Sequence, residues 1–283
     1  MLEVVKDTLI DSIKLLPFLF ITYLIMEYIE HRTSNKAKET IKKSGKFGPF
    51  IGSLLGIVPQ CGFSVSATNL YAGRVITLGT LIAVYLSTSD EMLPIMLSEA
   101  VPISTILIIL GIKFAIGIIA GFLIDLVLRI LKKNQEEEKI VDICEKEHCH
   151  CENGILKSAI HHTVHIFLFI LAITFVLNVI IYFIGEENIS GFLANQPVLG
   201  PVLSGLIGLI PNCASSVIIT EMYLENVINV GTLIAGLLVN AGVGLVVLFK
   251  TNKGIKENIK IVGVLYAIGL ISGIIIQLLG ITI

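Results

Sequence analysis

Charge is scarce in this chain. Of its 283 residues only 15% are Asp, Glu, Lys or Arg while 54% are hydrophobic, and the mean hydropathy of +0.90 lies far from that of soluble globular chains. That shortage excludes water as the main solvent. Net charge is small too: a balance of −2 says little about partners, and nucleic acid is not expected among them. Cysteine is sparse and odd in number, five in all, which does not suggest a disulfide framework. No small-residue cleavage site follows the first apolar stretch, and Asp11 and Lys14 lie inside it, so it reads as a retained helix and not as a secretory leader.

What is present is length. Leu9 to Tyr28, Ser158 to Ile184 and Ile261 to Ile283 are apolar stretches with few charges, each near the roughly 20 residues that cross about 30 Å of hydrocarbon. An internal repeat then organises the whole chain. An offset of 152 residues lays Gly48-Pro49 on Gly200-Pro201, Gly56 on Gly208, Pro59-x-Cys61 on Pro211-x-Cys213 and Ser64-Val65 on Ser216-Val217. It continues without a gap through Tyr71 on Tyr223, Val75-Ile76 on Val227-Ile228, and the run Gly79 to Ala83 on Gly231 to Ala235. Shared hydrophobicity would match Leu with Ile. It would not bring prolines, a cysteine, a tyrosine and several glycines into register, because those residues have specific backbone or chemical roles.

Basic residues set the expected orientation. They crowd the loops 30–47, 129–157 and 250–260, whereas 185–196 carries Glu186 and Glu187 and no Lys or Arg. The three basic loops are therefore expected in the cytoplasm, with both termini outside. On this reading Gly48 is entered from the cytosol and Gly200 from outside, so the two copies are inverted. Gly48 to Pro59 and Gly62 to Tyr71 are 12 and 10 residues long, about 18 and 15 Å as helix. Neither crosses the bilayer alone. The predicted form is a hairpin of two half-helices with its tip at Gln60-Cys61-Gly62, and a second with its tip at Asn212-Cys213-Ala214. The fold class expected is an all-α integral membrane protein, an inverted-topology 5+5 repeat with two re-entrant or broken-helix hairpins meeting near the bilayer midplane. Its parts are an N-terminal repeat over 1–131, a cytoplasmic linker over 132–157 and a C-terminal repeat over 158–283.

Candidate chemistry gathers at the breaks. Cys61 and Cys213 fall at the starts of the second half-helices, where the positive dipole end favours a thiolate, a soft metal ligand. Packing of a small, weakly polar residue is the plainer alternative. Gln60 and Asn212 offer amide oxygens or donors to the same cavity, or serve only to satisfy the broken backbone. Asp90 and Glu91 follow Ser87-Thr88-Ser89 inside the next span, and carboxylates there are expensive unless paired, hydrated or metal-bound. A solvated external loop is the other reading. The copy has Asn240-Ala241-Gly242-Val243 there, so the acids belong to one half only. In the linker, Cys144, His148, Cys149, His150 and Cys151 match no closed zinc finger and suggest a chelating tract or a solvated segment.

The motifs Gly56-x-x-Pro59-Gln60-Cys61-Gly62, Ala67-Thr68-Asn69-Leu70-Tyr71, Ser87-Thr88-Ser89-Asp90-Glu91-Met92-Leu93-Pro94 and Gly208-x-x-Pro211-Asn212-Cys213 resemble those of the ten-transmembrane heavy-metal exporter family. Its members are labelled both as arsenic efflux permease-like proteins and as manganese transporters. The resemblance implies efflux of a metal or metalloid ion and carries Cys61, Asp90, Glu91 and Cys213 as pathway residues. The expectation is then a multi-pass cell-membrane transporter that works by alternating access with proton coupling. Its partners would be membrane lipid and the transported ion; no resident cofactor and no enzymatic activity are expected, and a homo-oligomer stays open. The rival is a secondary transporter of a small organic or inorganic anion held at the half-helix N-termini.

Overall fold

A computed structural model describes positions 6, 9, 10, 13, 16, 17, 19–21 and 23–25 of the first span, and residues 45–59, 61–89, 91–131, 155–184 and 199–281. Among the described residues all regular structure is helical. After helical positions in the first span and a short 3-10 turn at Gly45–Phe47 come α1 (Gly48–Gly56), α2 (Gly62–Ala72), α3 (Leu78–Ser87), α4 (Met92–Ser98) and α5 (Ile103–Leu131). Then follow α6 (Ile155–Ile184), α7 (Gly200–Gly208), α8 (Cys213–Leu224), α9 (Val230–Val239), α10 (Gly244–Thr251) and α11 (Ile255–Leu278). Helix α6 reaches back to Ile155, into the end of the stretch assigned to the linker.

Local chemistry sets the boundaries. Pro49 and Pro201 stand in the first turns of α1 and α7, where a missing N–H costs nothing. Thr77 accepts from Thr80 N–H at 3.1 Å to start α3, and Asn229 accepts from Thr232 N–H at 2.9 Å to start α9. Helix α1 stops at Gly56, short of the Pro59 expected from sequence. Pro59 has no N–H for the Leu55 carbonyl and disfavours helix in the residue before it. Val58 N–H takes that carbonyl instead at 3.2 Å, and Ile210 N–H takes Ile207 O in the same way at 2.9 Å.

Packing follows the offset contact by contact. Helix α3 lies between α1 and α5, and α9 between α7 and α11. A methyl added at Gly56 would meet Val84 O, and one at Gly208 would meet Gly236 O; Gly117 and Gly269 would meet Ala83 O and Ala235 O. Each of these pairs is separated by the same 152 residues as Cys61 and Cys213. In lipid there is little hydrophobic gain from pressing one apolar helix on another, so association rests on such close backbone approach. Between the halves the pieces are exchanged: α2 packs on α10, and α8 on α4.

Four described stretches are long and apolar enough to cross a membrane. Val230–Thr251, the sum of α9 and α10, is 89% buried within the protein, against 39% for Ile103–Leu131 and 28% for Ile255–Leu278. The broken span is therefore central and the unbroken ones peripheral. Leu107, Ile119, Ile130, Ile271 and Ile275 are exposed on α5 and α11, an outer face suited to acyl chains.

Gly56→Ala and Gly208→Ala should each destabilise the purified protein by about 1–3 kcal/mol, because each methyl would come within 2.7 Å of a backbone carbonyl, Val84 O or Gly236 O, and at Gly56 would also meet Ser87 Oγ. Gly111→Ala and Gly263→Ala, whose methyls meet nothing within 4 Å, should be neutral or gain up to about 1 kcal/mol. The midpoint temperature for loss of monodisperse protein in detergent measures this, and an equal shift in all four variants would contradict the packing described.

Candidate functional site

Each half is broken twice, over 57–61 and 88–91 in the first and 209–212 and 240–243 in the second. At the first break of each half stands a cysteine. Cys61 immediately precedes α2 and Cys213 is the first residue of α8, so both sulfurs sit at the positive end of a helix dipole, as expected. The chain brings them together: Cys61 Sγ and Cys213 Sγ are 3.2 Å apart, both buried and neither in a disulfide. Val65, Val243 and Val247 pack around them with Leu19 and Tyr23 of the first span and Ile166 and Ile170 of α6. The pair thus lies between the halves, walled by apolar side chains that raise the strength of any charge interaction inside.

The surrounding polar groups are largely engaged with backbone. Asn212 accepts from Ala214 N–H at 2.7 Å through Oδ1, capping α8. Its amide oxygen therefore already serves the broken backbone. Ser64 and Ser216 hydroxyls each donate to the carbonyl of the nearby cysteine at 2.8 Å. Ser89 donates to Ile57 O at 2.5 Å, tying the two breaks of the first half to each other. Glu91 lies at the N-cap of α4 and is partly buried, but its side chain does not cap the helix. Among the described residues no three His, Cys, Asp or Glu side chains are gathered as a metal cage, so the structure does not bring Glu91 onto the thiols. Gln60, Asp90 and the linker residues Cys144, His148, Cys149, His150 and Cys151 lie outside the described residues.

Two further buried residues stand out. Lys113 is fully buried in α5 and donates to the carbonyls of Thr88 and of Leu237, the latter at 2.9 Å. A lysine at the centre of a spanning helix costs about 3 kcal/mol on insertion scales. A single cation inside an otherwise apolar run of α5 was the signal available. Asn69, 2% exposed, accepts from Tyr23 OH at 3.4 Å, and its Nδ2 has no hydrogen-bond partner among the described residues. That donor is carried by α2, two turns beyond Cys61, and the motif around it was noticed only as a family marker.

The Arg74 guanidinium, just beyond the end of α2, forks onto Glu257 of α11 at 2.9 and 3.1 Å, and Tyr71 OH donates to the same carboxylate. This bidentate pair joins the first half to the second at one end of the molecule.

A multi-pass helical membrane protein with two like halves and a buried thiol pair between them belongs to the transporter class. Residues 1–184 of the 283 match the family described as "Putative, 10TM heavy-metal exporter", and the chain belongs to that family. No curated protein and no solved structure matches the chain.

Thiols this close should be joined by a small oxidant such as diamide, the two sulfurs giving up two protons and two electrons to it. With the three linker cysteines changed to serine, oxidised and then denatured protein should bind no maleimide, whereas untreated protein should bind two. Full labelling after oxidation would separate Cys61 from Cys213.

Proposed function

We propose that this chain is a secondary transporter that exports a thiophilic heavy-metal or metalloid ion, with Cys61 and Cys213 as the cargo ligands. The observation that carries this reading is the thiol pair: one sulfur from each half, each at a helix N-terminus, 3.2 Å apart and shielded from water. Two thiolates contributed by two bodies can hold a soft ion tightly when the bodies close and release it when they part. Protonation of the same sulfurs competes with the ion, which couples export to proton entry. Asp90 and Glu91, from the break that has no acidic counterpart, would supply oxygen ligands along the path. The rival anion reading uses the same helix N-termini but leaves the thiol pair without a task.

The recurrence of helices and contacts at a fixed offset supports an inverted pair of five-element halves, rocking about the shared centre. The basic loops 30–47, 129–157 and 250–260 would face the cytoplasm, with the domains divided at 131 and 158. Arg74 and Glu257 then close one end. The positions related to them by the offset, Asn226 and Thr105, carry no charge, so the other end closes without an ion pair.

Cells carrying Cys61→Ser or Cys213→Ser should accumulate the exported ion, with apparent affinity lowered by about 10–100-fold or more, the scale seen when even an outer-shell support of a metal ligand is lost. Intracellular metal after exposure to Mn, Zn, Cd, Co or arsenite reads this out, with Asp90→Asn tested alongside. Unchanged tolerance in all three variants would remove the metal reading. For the closure, Arg74→Glu and Glu257→Arg should each reduce export and the double reversal should regain it; a double variant as poor as the singles would show that the pair has no part in gating.

A further inference from the structure

Helix α5 carries Lys113 well inside its 29 residues, with the side chain completely buried. Its ammonium reaches two carbonyls that have one thing in common. Thr88 is the C-cap of α3 and Leu237 lies in the last turn of α9. The last four carbonyls of a helix have no intrahelical amide, and they form the negative end of its dipole. One of these helix ends comes from each half, so Lys113 stands where the two broken spans pass each other.

The equivalent position of the other half carries no cation. The residue 152 positions after Lys113 is Leu265, which is also completely buried. The break at 240–243 is met from within the chain, Gly242 N–H donating to Asn240 Oδ1 at 2.9 Å. A buried charge is thus spent at only one of two equivalent places, despite the cost of burying it.

We propose that the crossing of α3 and α9 is a monovalent-cation site whose resident ion is the Lys113 ammonium. Carbonyl oxygens at the C-terminal ends of interrupted helices are the groups with which membrane proteins hold dehydrated Na⁺ or K⁺, and an ammonium is close to K⁺ in size. Because this cation is covalently attached, it cannot leave during a transport cycle. The protein therefore needs no free alkali ion at this position, and any motion that separates α3 from α9 must break a Lys113 bond. The inference stands whichever ion is the cargo.

The test removes the resident ion and offers a free one. Wild-type protein and Lys113→Ala, purified in detergent, are heated in potassium, ammonium or tetramethylammonium chloride at equal ionic strength. Wild type should melt at one temperature in all three salts. Lys113→Ala should melt several degrees lower in tetramethylammonium and recover in potassium or ammonium, whose ions fit the vacated position. Equal melting of the variant in all three salts, lowered or not, overturns the proposal. If Lys113→Ala yields no folded protein, Lys113→Arg and Lys113→Met decide. The arginine variant should fold in any salt and the methionine variant only when potassium or ammonium is present during extraction; a methionine variant that folds equally well in tetramethylammonium overturns the proposal. The readout needs no cargo, so a negative result leaves the metal reading intact, and a chain that moves no metal leaves this result intact.

Discussion

A helix that stops where water does not reach must hand its last carbonyls and its next amides to other partners, and each unmet group costs several kcal/mol by order of magnitude. The breaks in this chain all face that demand. Asn212 and Asn240 turn their amide oxygens onto amides two residues ahead, Ser89 reaches Ile57 O, and Lys113 takes Thr88 O and Leu237 O. The polar residues of the interior are therefore placed first by the needs of interrupted backbone. Chemistry is what remains after those needs are met. The two thiols stand apart from that demand: Ser64 and Ser216 donate to the cysteine carbonyls, while the sulfurs face each other in an apolar cluster.

Satisfying the breaks also explains why the halves interlock. The Tyr85 and Thr68 hydroxyls share a hydrogen bond at 2.5 Å, and both lie within hydrogen-bond reach of the carbonyl of Gly244 at the start of α10, at 3.3 and 3.2 Å. Gly244 itself is so close to Ser64 that a methyl there would lie 3.0 Å from Ser64 Cβ. These contacts hold α2 of the first half on α10 of the second, and that packing is what carries Cys61 to Cys213. Close approach and polar satisfaction coincide here, since the glycine that lets α10 lie against Ser64 is also the residue whose carbonyl the two hydroxyls reach.

Much of this could be read from residues alone. Glycine and proline mark the helix ends at Gly48, Gly56, Gly200 and Gly208, and their recurrence at one offset gave the element order, because backbone constraints survive where hydrophobic identity drifts. The pairing of Cys61 with Cys213 was legible for the same reason: equivalent turns of two like halves converge on a shared axis. What sequence did not give was the division of labour among polar groups. Asn212 reads equally as ligand or cap, and only the 2.7 Å contact to Ala214 N–H assigns its oxygen. Lys113 lies some fifty residues from Cys61 in the chain, and its meaning depends on a carbonyl 124 residues away in the other half. No local pattern encodes a contact of that kind.

The differences between the halves are as informative as their likeness. A duplicated scaffold with identical contents would have two equivalent ends and no reason to favour either direction of movement. This chain places an arginine–glutamate fork at one end only, a lysine at one of two equivalent helix positions and a Ser-Asp-Glu run at one of two equivalent breaks. All three departures insert charge where the partner half is neutral. Charge is the costly component in such an interior, and packing never requires it, because Leu265, Asn226 and Val243 fill the matching places in the other half. The shared features therefore account for the fold; in the proposed transport cycle the unshared ones would set direction, duplication supplying a frame with two states and the few uncopied ionic contacts the energy difference between them.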